Sequence, residues 1–263
     1  MRTNKKSISS EELESLKLIT DRELSIFSFK EMKSYSRLGS AELQDILTIY
    51  AKKQIIYRIE KGLYCVRNFR NPYVIGNELL KNSTIAYWSA LNLHGLTEQI
   101  PNVVFVQSDC RKTDKKVFSV RYKFIQVKPE KICGITKMGY GNEQFKITDV
   151  EKTLLDCFDL PRYSGGYEEL IRAFYSAKIN GAKLLKYAVQ MDNLSVIKRM
   201  GYLSELFDMG YLSKFRVRAQ MLINKRYSLL DPMGMNTGKF NFNWKLRINI
   251  PENKLLEFIH KMY

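Results

Sequence analysis

At 263 residues, 45% hydrophobic and 27% charged, the chain has an ordinary globular composition and room for two modest domains. Lys+Arg 43 against Asp+Glu 27 gives a net charge of +16, an excess that favours polyanions by counterion release and makes nucleic acid the leading partner; charge kept for solubility is the plainer alternative. Four scattered cysteines (Cys65, Cys110, Cys133, Cys157) form no Cys-x-x-Cys pair, and His94 and His260 have no partner at metal-ligand spacing, so no metal or cofactor is expected. No apolar stretch reaches the length of a membrane span and Met1 to Glu12 lacks the apolar run of a signal peptide, so a cytoplasmic location and no membrane partner are expected.

In chain order, Ser9-Ser10-Glu11-Glu12 is a capping box that opens a helix, with Ile8 and Leu13 as its staple and Leu13, Leu16, Ile19 and Leu24 as candidate core. A second helix begins over Phe27 to Met32, where Ser28 can cap, Glu31 can return a hydrogen bond, and Phe27 and Met32 can staple. Residues 35–40 break the pattern. A third helix follows with Leu43, Ile46, Leu47, Tyr50 and Ala51 on one face. Ile55 to Ile59, Glu60-Lys61-Gly62 and Leu63 to Val66 then read as strand, turn and strand. Helix, turn, helix and wing is the layout of a winged helix-turn-helix, which commonly puts its second helix in the DNA major groove.

Arg67 to Pro72 is a polar connector, so residues 1–70 are read as the DNA-binding domain and 71–263 as a mixed α+β domain; the expected fold class is α+β. In the second region helices are expected over Tyr73 to Leu80 and Ser83 to Leu93, the latter capped at Ser83 and stopped by His94-Gly95. Val103 to Gln107 reads as a buried strand, and Val117 to Val127 as a long strand or hairpin member. Thr148 to Glu151 is a capping box for a helix that Pro161 ends. Helices are expected over 167–177, 182–191 and 195–209, and a last β segment over Phe240 to Ile250 around Trp244, Leu246 and Ile248. Lys137 to Asn142 and Ser164-Gly165-Gly166 lack the remainder of a phosphate-loop motif and read as turns.

The candidate DNA-binding residues are Ser36, Arg37, Ser40, Gln44 and Thr48 in the turn and on the polar face of the third helix, with Arg58 and Lys61 at the wing. Serines and Arg37 suit phosphates; Gln44 suits adenine and Arg37 guanine. Glu42 and Asp45 on the same exposed turns are unusual for a groove-reading helix; they either accept from cytosine amino groups or weaken the contact. A second basic patch comprises Lys214, Arg216, Arg218, Lys225 and Arg226. Arg216 and Arg218 share a face if the segment is extended, Lys214 and Arg218 if it is helical. Residues 161–263 carry 17 basic and 8 acidic side chains, so most of the surplus charge lies there. Tyr64, Trp88, His94 and Trp244 read as core or capping residues, and Glu151, with Thr148, as part of a helix cap.

Several segments in order resemble AbiEi-type antitoxins, the transcriptional regulators of abortive-infection type IV toxin–antitoxin operons. These are Lys61 to Tyr64, Tyr73 to Asn77, Ser89 to Thr97 with Pro101, Glu151 to Asp156, Lys198 to Leu203, Tyr227 to Pro232 and Trp244 to Leu246. Met200 stands where the family more usually has Leu. The resemblance implies an autorepressor that binds double-stranded DNA at its own promoter and counteracts a nucleotidyltransferase-like toxin of the same operon, with no enzymatic activity of its own. Two other readings stay open: a winged-helix-fused metal-dependent nuclease using Glu151 and Lys152, for which no further carboxylate is nominated, and a module that binds the toxin directly.

Overall fold

The computed structural model describes residues 9–260, which form eleven α-helices and three sheets, an α+β architecture. Two compact units are present: Met1–Ile75 with Gly139–Gln144, and Gly76–Met138 with Phe145–Tyr263.

In the first unit, α1 (Ser10–Asp21), β1 (Ile26–Ser28), α2 (Phe29–Tyr35), α3 (Ser40–Lys52), β2 (Ile56–Glu60) and β3 (Leu63–Val66) follow one another. The Ser28 cap forms as the sequence suggests: its hydroxyl accepts from the Glu31 amide at 3.1 Å, and the Glu31 carboxylate accepts from the Ser28 amide at 3.4 Å. At α1, Ser9 accepts from the Glu12 amide, but the Glu12 carboxylate pairs with Lys53 at 3.1 Å instead of turning back to Ser9. Ile8, the expected staple, lies outside the described residues; Leu13 is 46% exposed, so the helix meets the core through Ile19 and partly through Leu16.

The strand β1 was not expected. Three residues are too few to show a period, and it exists because it pairs antiparallel with β3, Phe27 opposite Tyr64, in a sheet of order β1-β3-β2. Gly62, at φ +77°, makes the β2–β3 turn, a conformation that side chains resist. Phe27, Met32, Leu43, Ile46, Leu47, Tyr50, Ile56 and Tyr64 form one core, so the apolar face of α3 is buried as its periodicity demands. The helix α4 (Pro72–Glu78) starts after Asn71, whose side-chain oxygen accepts from the Tyr73 and Val74 amides.

The second unit contains β4 (Thr84–Ile85), α5 (Tyr87–Leu93), β5 (Val103–Ser108), β6 (Lys115–Val117), β7 (Val120–Gln126), β8 (Ile135–Met138), β9 (Phe145–Thr148) and α6 (Val150–Asp159). Then come α7 (Tyr167–Ser176), α8 (Gly181–Gln190), α9 (Leu194–Leu206), α10 (Ser213–Leu222), β10 (Ser228–Leu229), β11 (Lys239–Asn241), β12 (Leu246–Ile248) and α11 (Glu252–His260). The larger sheet has the order β6-β7-β5-β4-β9-β8, and the smaller one β10-β12-β11.

Partners distant in sequence correct three expectations and bear out the hairpin alternative for residues 117–127. The helix expected from Ser83 starts at Tyr87, because Thr84 and Ile85 pair with β5 and Ile85 also with β9. Residues 117–127 turn at Phe118-Ser119, so β7 pairs antiparallel with β6 and parallel with β5. Residues 240–250 are likewise a hairpin, not one strand. The cap of α6 is Asp149, which accepts from the Lys152 amide at 3.0 Å; Thr148 bonds Thr153 instead, and Glu151 accepts from the Asn180 amide at 2.8 Å and from Lys183.

Candidate nucleic-acid interface

In the first unit α3 turns its apolar stripe inward, which leaves Ser40, Gln44, Asp45 and Thr48 exposed on the other side. Arg37 is exposed in the α2–α3 turn, Arg58 is exposed on β2 opposite Tyr64, and Lys61 is exposed at the β2–β3 turn. Ser36 is half-buried and its hydroxyl accepts from the Leu38 amide at 3.1 Å, so it shapes the turn. Gln44 donates to the Tyr64 hydroxyl at 3.3 Å, and the Thr48 hydroxyl donates to the Gln44 carbonyl at 2.8 Å. Both contacts orient side chains at the surface. The Arg58 guanidinium donates to the Glu60 carbonyl at 3.3 Å.

Glu42 has a local explanation. Its carboxylate accepts from the Gly39 amide at 3.3 Å, where an acidic group also suits the positive end of the helix dipole. It therefore caps α3. Tyr64 is buried and stacked 6.0 Å from Phe27.

The second basic patch is divided by the structure. Segment 213–222 is helical, so Lys214 and Arg218 lie one turn apart and exposed. Arg216 does not join them. Its guanidinium donates to the Ser204 and Met209 carbonyls at 3.0 and 2.9 Å, closing the C-terminal end of α9. Lys225 and Arg226 are exposed in the stretch beyond α10.

The other basic pair, Lys198-Arg199, is buried on α9. Lys198 donates to Asn224 at 2.7 Å and to the Arg226 carbonyl, and Arg199 donates to the Leu229 and Phe158 carbonyls at 3.0 and 3.1 Å. The Tyr167 hydroxyl donates to the Leu230 carbonyl. Three enclosed donors thus hold the backbone of residues 226–230. Burial, aided by Lys245, pushes the Lys198 ammonium down from its usual value.

Beside that stretch stands a cluster that sequence reasoning missed. Tyr227, Phe240 and Phe242 are 41%, 51% and 72% exposed, and both phenylalanine rings meet Tyr227 edge-on at 4.9 and 6.4 Å. Arg247, opposite Phe240 across β11 and β12, sits 5.3 Å from that ring, and Lys245 sits 6.0 Å from Tyr227. The signal was the run Lys239-Phe240-Asn241-Phe242, read only as the start of an alternating strand. Trp244 anchors the hairpin: it is fully buried, its indole donates to Glu205, and its ring lies flush on Gly201, where any Cβ would collide with it.

The residues considered for nuclease chemistry are internal. Glu151 is buried, and Lys152 is 0% exposed and ion-paired with the buried Asp156, with Gln107 joining Lys152 to the Tyr87 hydroxyl. Burial pushes the Asp156 carboxyl up in spite of Lys152. His94 caps α5 and its Nε2 lies 2.7 Å from the Thr148 carbonyl; Trp88 packs on Gly165. A cleft of about 800 Å³ is lined by Thr97, Glu169, Arg172, Tyr175 and Ile259, where Arg172 is paired with Glu168 and Glu169. Among the described residues no three His, Cys, Asp or Glu side chains converge as metal ligands, and no helix is long and apolar enough to cross a membrane.

No family model matches the chain, and no curated protein matches it in sequence. Among solved structures it is similar to the RV2827C protein from Mycobacterium tuberculosis, at 12% identity over 97% of this chain and 96% of that one, with a TM-score of 0.64. At that identity the likeness is one of fold alone.

Proposed function

We propose that the chain is a cytoplasmic DNA-binding antitoxin and autorepressor of the AbiEi type, counteracting a nucleotidyltransferase-like toxin of its own operon in abortive infection of phage-infected cells. In this reading the first unit is a winged helix-turn-helix. The observation that carries it is the outward face of α3: Ser40, Gln44 and Thr48 are exposed in a row, with Arg37 exposed in the turn before the helix, Arg58 exposed on β2 and Lys61 exposed at the β2–β3 turn. Uncharged hydrogen-bonding groups on a helix read base edges, while flanking cations hold phosphates. Lys214, Arg218, Lys225 and Arg226 add phosphate contacts from the second unit.

The segments resembling AbiEi-type antitoxins support the antitoxin part. The toxin-binding alternative would draw on Glu42 and Asp45 as exposed acids on α3, but Glu42 is a helix cap rather than a free acid on that face. The nuclease alternative lacks support, because Lys152 is sealed inside the fold and Glu151, also buried, is taken up by the Asn180 amide and Lys183.

The test is a gel shift on the chain's own upstream promoter against a scrambled duplex at physiological salt. Preferential binding is expected, with Gln44→Ala costing about 1–3 kcal/mol of operator affinity and little affinity for the scramble. Equal affinity for both duplexes refutes specific repression.

A further inference from the structure

We infer that the β10–β12 face of the second unit binds unpaired bases of single-stranded RNA, stacking them on Tyr227, Phe240 and Phe242 while neighbouring cations hold the phosphates. This goes beyond promoter binding and stands on the second unit alone.

Three observations carry it. The first is the rings themselves: three large aromatic side chains lie together in contact with solvent on a small sheet, where a core would have buried them. The second is charge. Residues 223–250 carry Lys225, Arg226, Lys239, Lys245 and Arg247 against the single acid Asp231. Aromatic faces between cations are the surface that single strands require, because every base has a π-face and every linkage a phosphate.

The third is rigidity. Lys198, Arg199 and Tyr167 hold the carbonyls of Arg226, Leu229 and Leu230, and Trp244 locks the β11–β12 turn onto Gly201. The segments that present Tyr227 and Phe242 are thereby fixed before any ligand arrives, which lowers the entropic cost of stacking.

Paired DNA does not fit these rings, since its bases are already stacked on one another and each step would have to be opened first. RNA presents unpaired bases in loops and ends without that cost. A lipid surface fits less well. Arg247 covers one side of Phe240, so inserting that ring into a bilayer would drag a guanidinium with it.

The test is fluorescence anisotropy of the full-length chain with a labelled pyrimidine-rich RNA of about 12 nucleotides, set against the same sequence as single-stranded DNA and as duplex DNA. The RNA is expected to bind most tightly. The double variant Phe240→Ala/Phe242→Ala should weaken it roughly 30-fold or more, the loss of two stacked bases. The double variant Phe240→Tyr/Phe242→Tyr should retain binding, and duplex affinity should stay constant across the series. Thermal melts of both variants matching the parent would exclude unfolding as the cause, since these rings are exposed. Undiminished RNA binding by the alanine variant overturns the inference. So does single-stranded DNA binding as tightly as RNA, or binding to anionic vesicles in place of RNA.

Discussion

The exposed face of α3 and the β10–β12 face are both polar surfaces built on small elements, but they are opposite in chemistry. Along α3 the outward side chains are Ser40, Gln44, Asp45 and Thr48, with no exposed aromatic ring among them. Along the second face, exposed rings alternate with cations. A helix face whose donors and acceptors are uncharged apart from Asp45 suits the edges of paired bases, whose faces are hidden; rings between cations suit faces that are free. Net charge by itself says only that a polyanion is the favoured class of partner. The side chains between the charges say in which state.

The largest effect on this comparison is expected from Trp244→Ala. The ring is fully enclosed and roofs Gly201, so its loss should cost about 3–5 kcal/mol in chemical denaturation of the second unit. The hairpin bearing Phe242 should loosen with it, and RNA affinity should fall while α3-dependent promoter binding persists. Equal loss of both activities would mean that the two faces are not separate sites.

Much of the first unit was legible because its signals are local. The Ser28–Glu31 box, the i, i+3, i+4 stripe of α3 and the glycine turn at Gly62 each act within a few residues. What escaped depends on partners distant in sequence. The strands β1 and β4 are two or three residues long and exist only through pairing with β3, β5 and β9. Basic residues are ambiguous for the same reason: Lys198, Arg199 and Arg216 look in sequence like Lys214 and Arg218, yet they serve backbone carbonyls up to 41 residues away. Glu151 was read as answering Thr148, but its partners are Asn180 and Lys183. The exposed positions proposed as site residues on α3 follow from the helix period, whereas the Tyr227–Phe240–Phe242 cluster requires three segments to meet.

That ambiguity gives the next prediction. Arg216→Ala orphans two carbonyls and should destabilise the second unit by about 1–3 kcal/mol, measured by urea denaturation. Lys214→Ala with Arg218→Ala should change stability by less than about 0.5 kcal/mol. It should instead lower the slope of log affinity against log salt on duplex DNA by about 2. A reversed pattern would return Arg216 to the binding surface.

The smallest effect separates the units by alkaline pH. Burial pushes the Cys65 thiol in the first unit from 9.0 to about 11, opposed by nearby Arg70. The folded state therefore keeps a proton that the unfolded chain releases. Its contribution to stability is complete below pH 9.0 and is lost as pH rises toward 11. Tyr50, raised from 10.0 to about 12 by burial and by Glu12, extends the same decline upward. Cys157 in the second unit, fully enclosed beside Asp156, is held well above its ordinary value. Denaturation midpoints followed from pH 8 to 11 should then fall for the first unit, and Cys65→Ala should flatten that fall between 9 and 11 without altering it in the second unit. If the variant and the parent decline in parallel, the thiol is not what couples the first unit to alkaline pH, and Tyr50 becomes the group to replace by Phe.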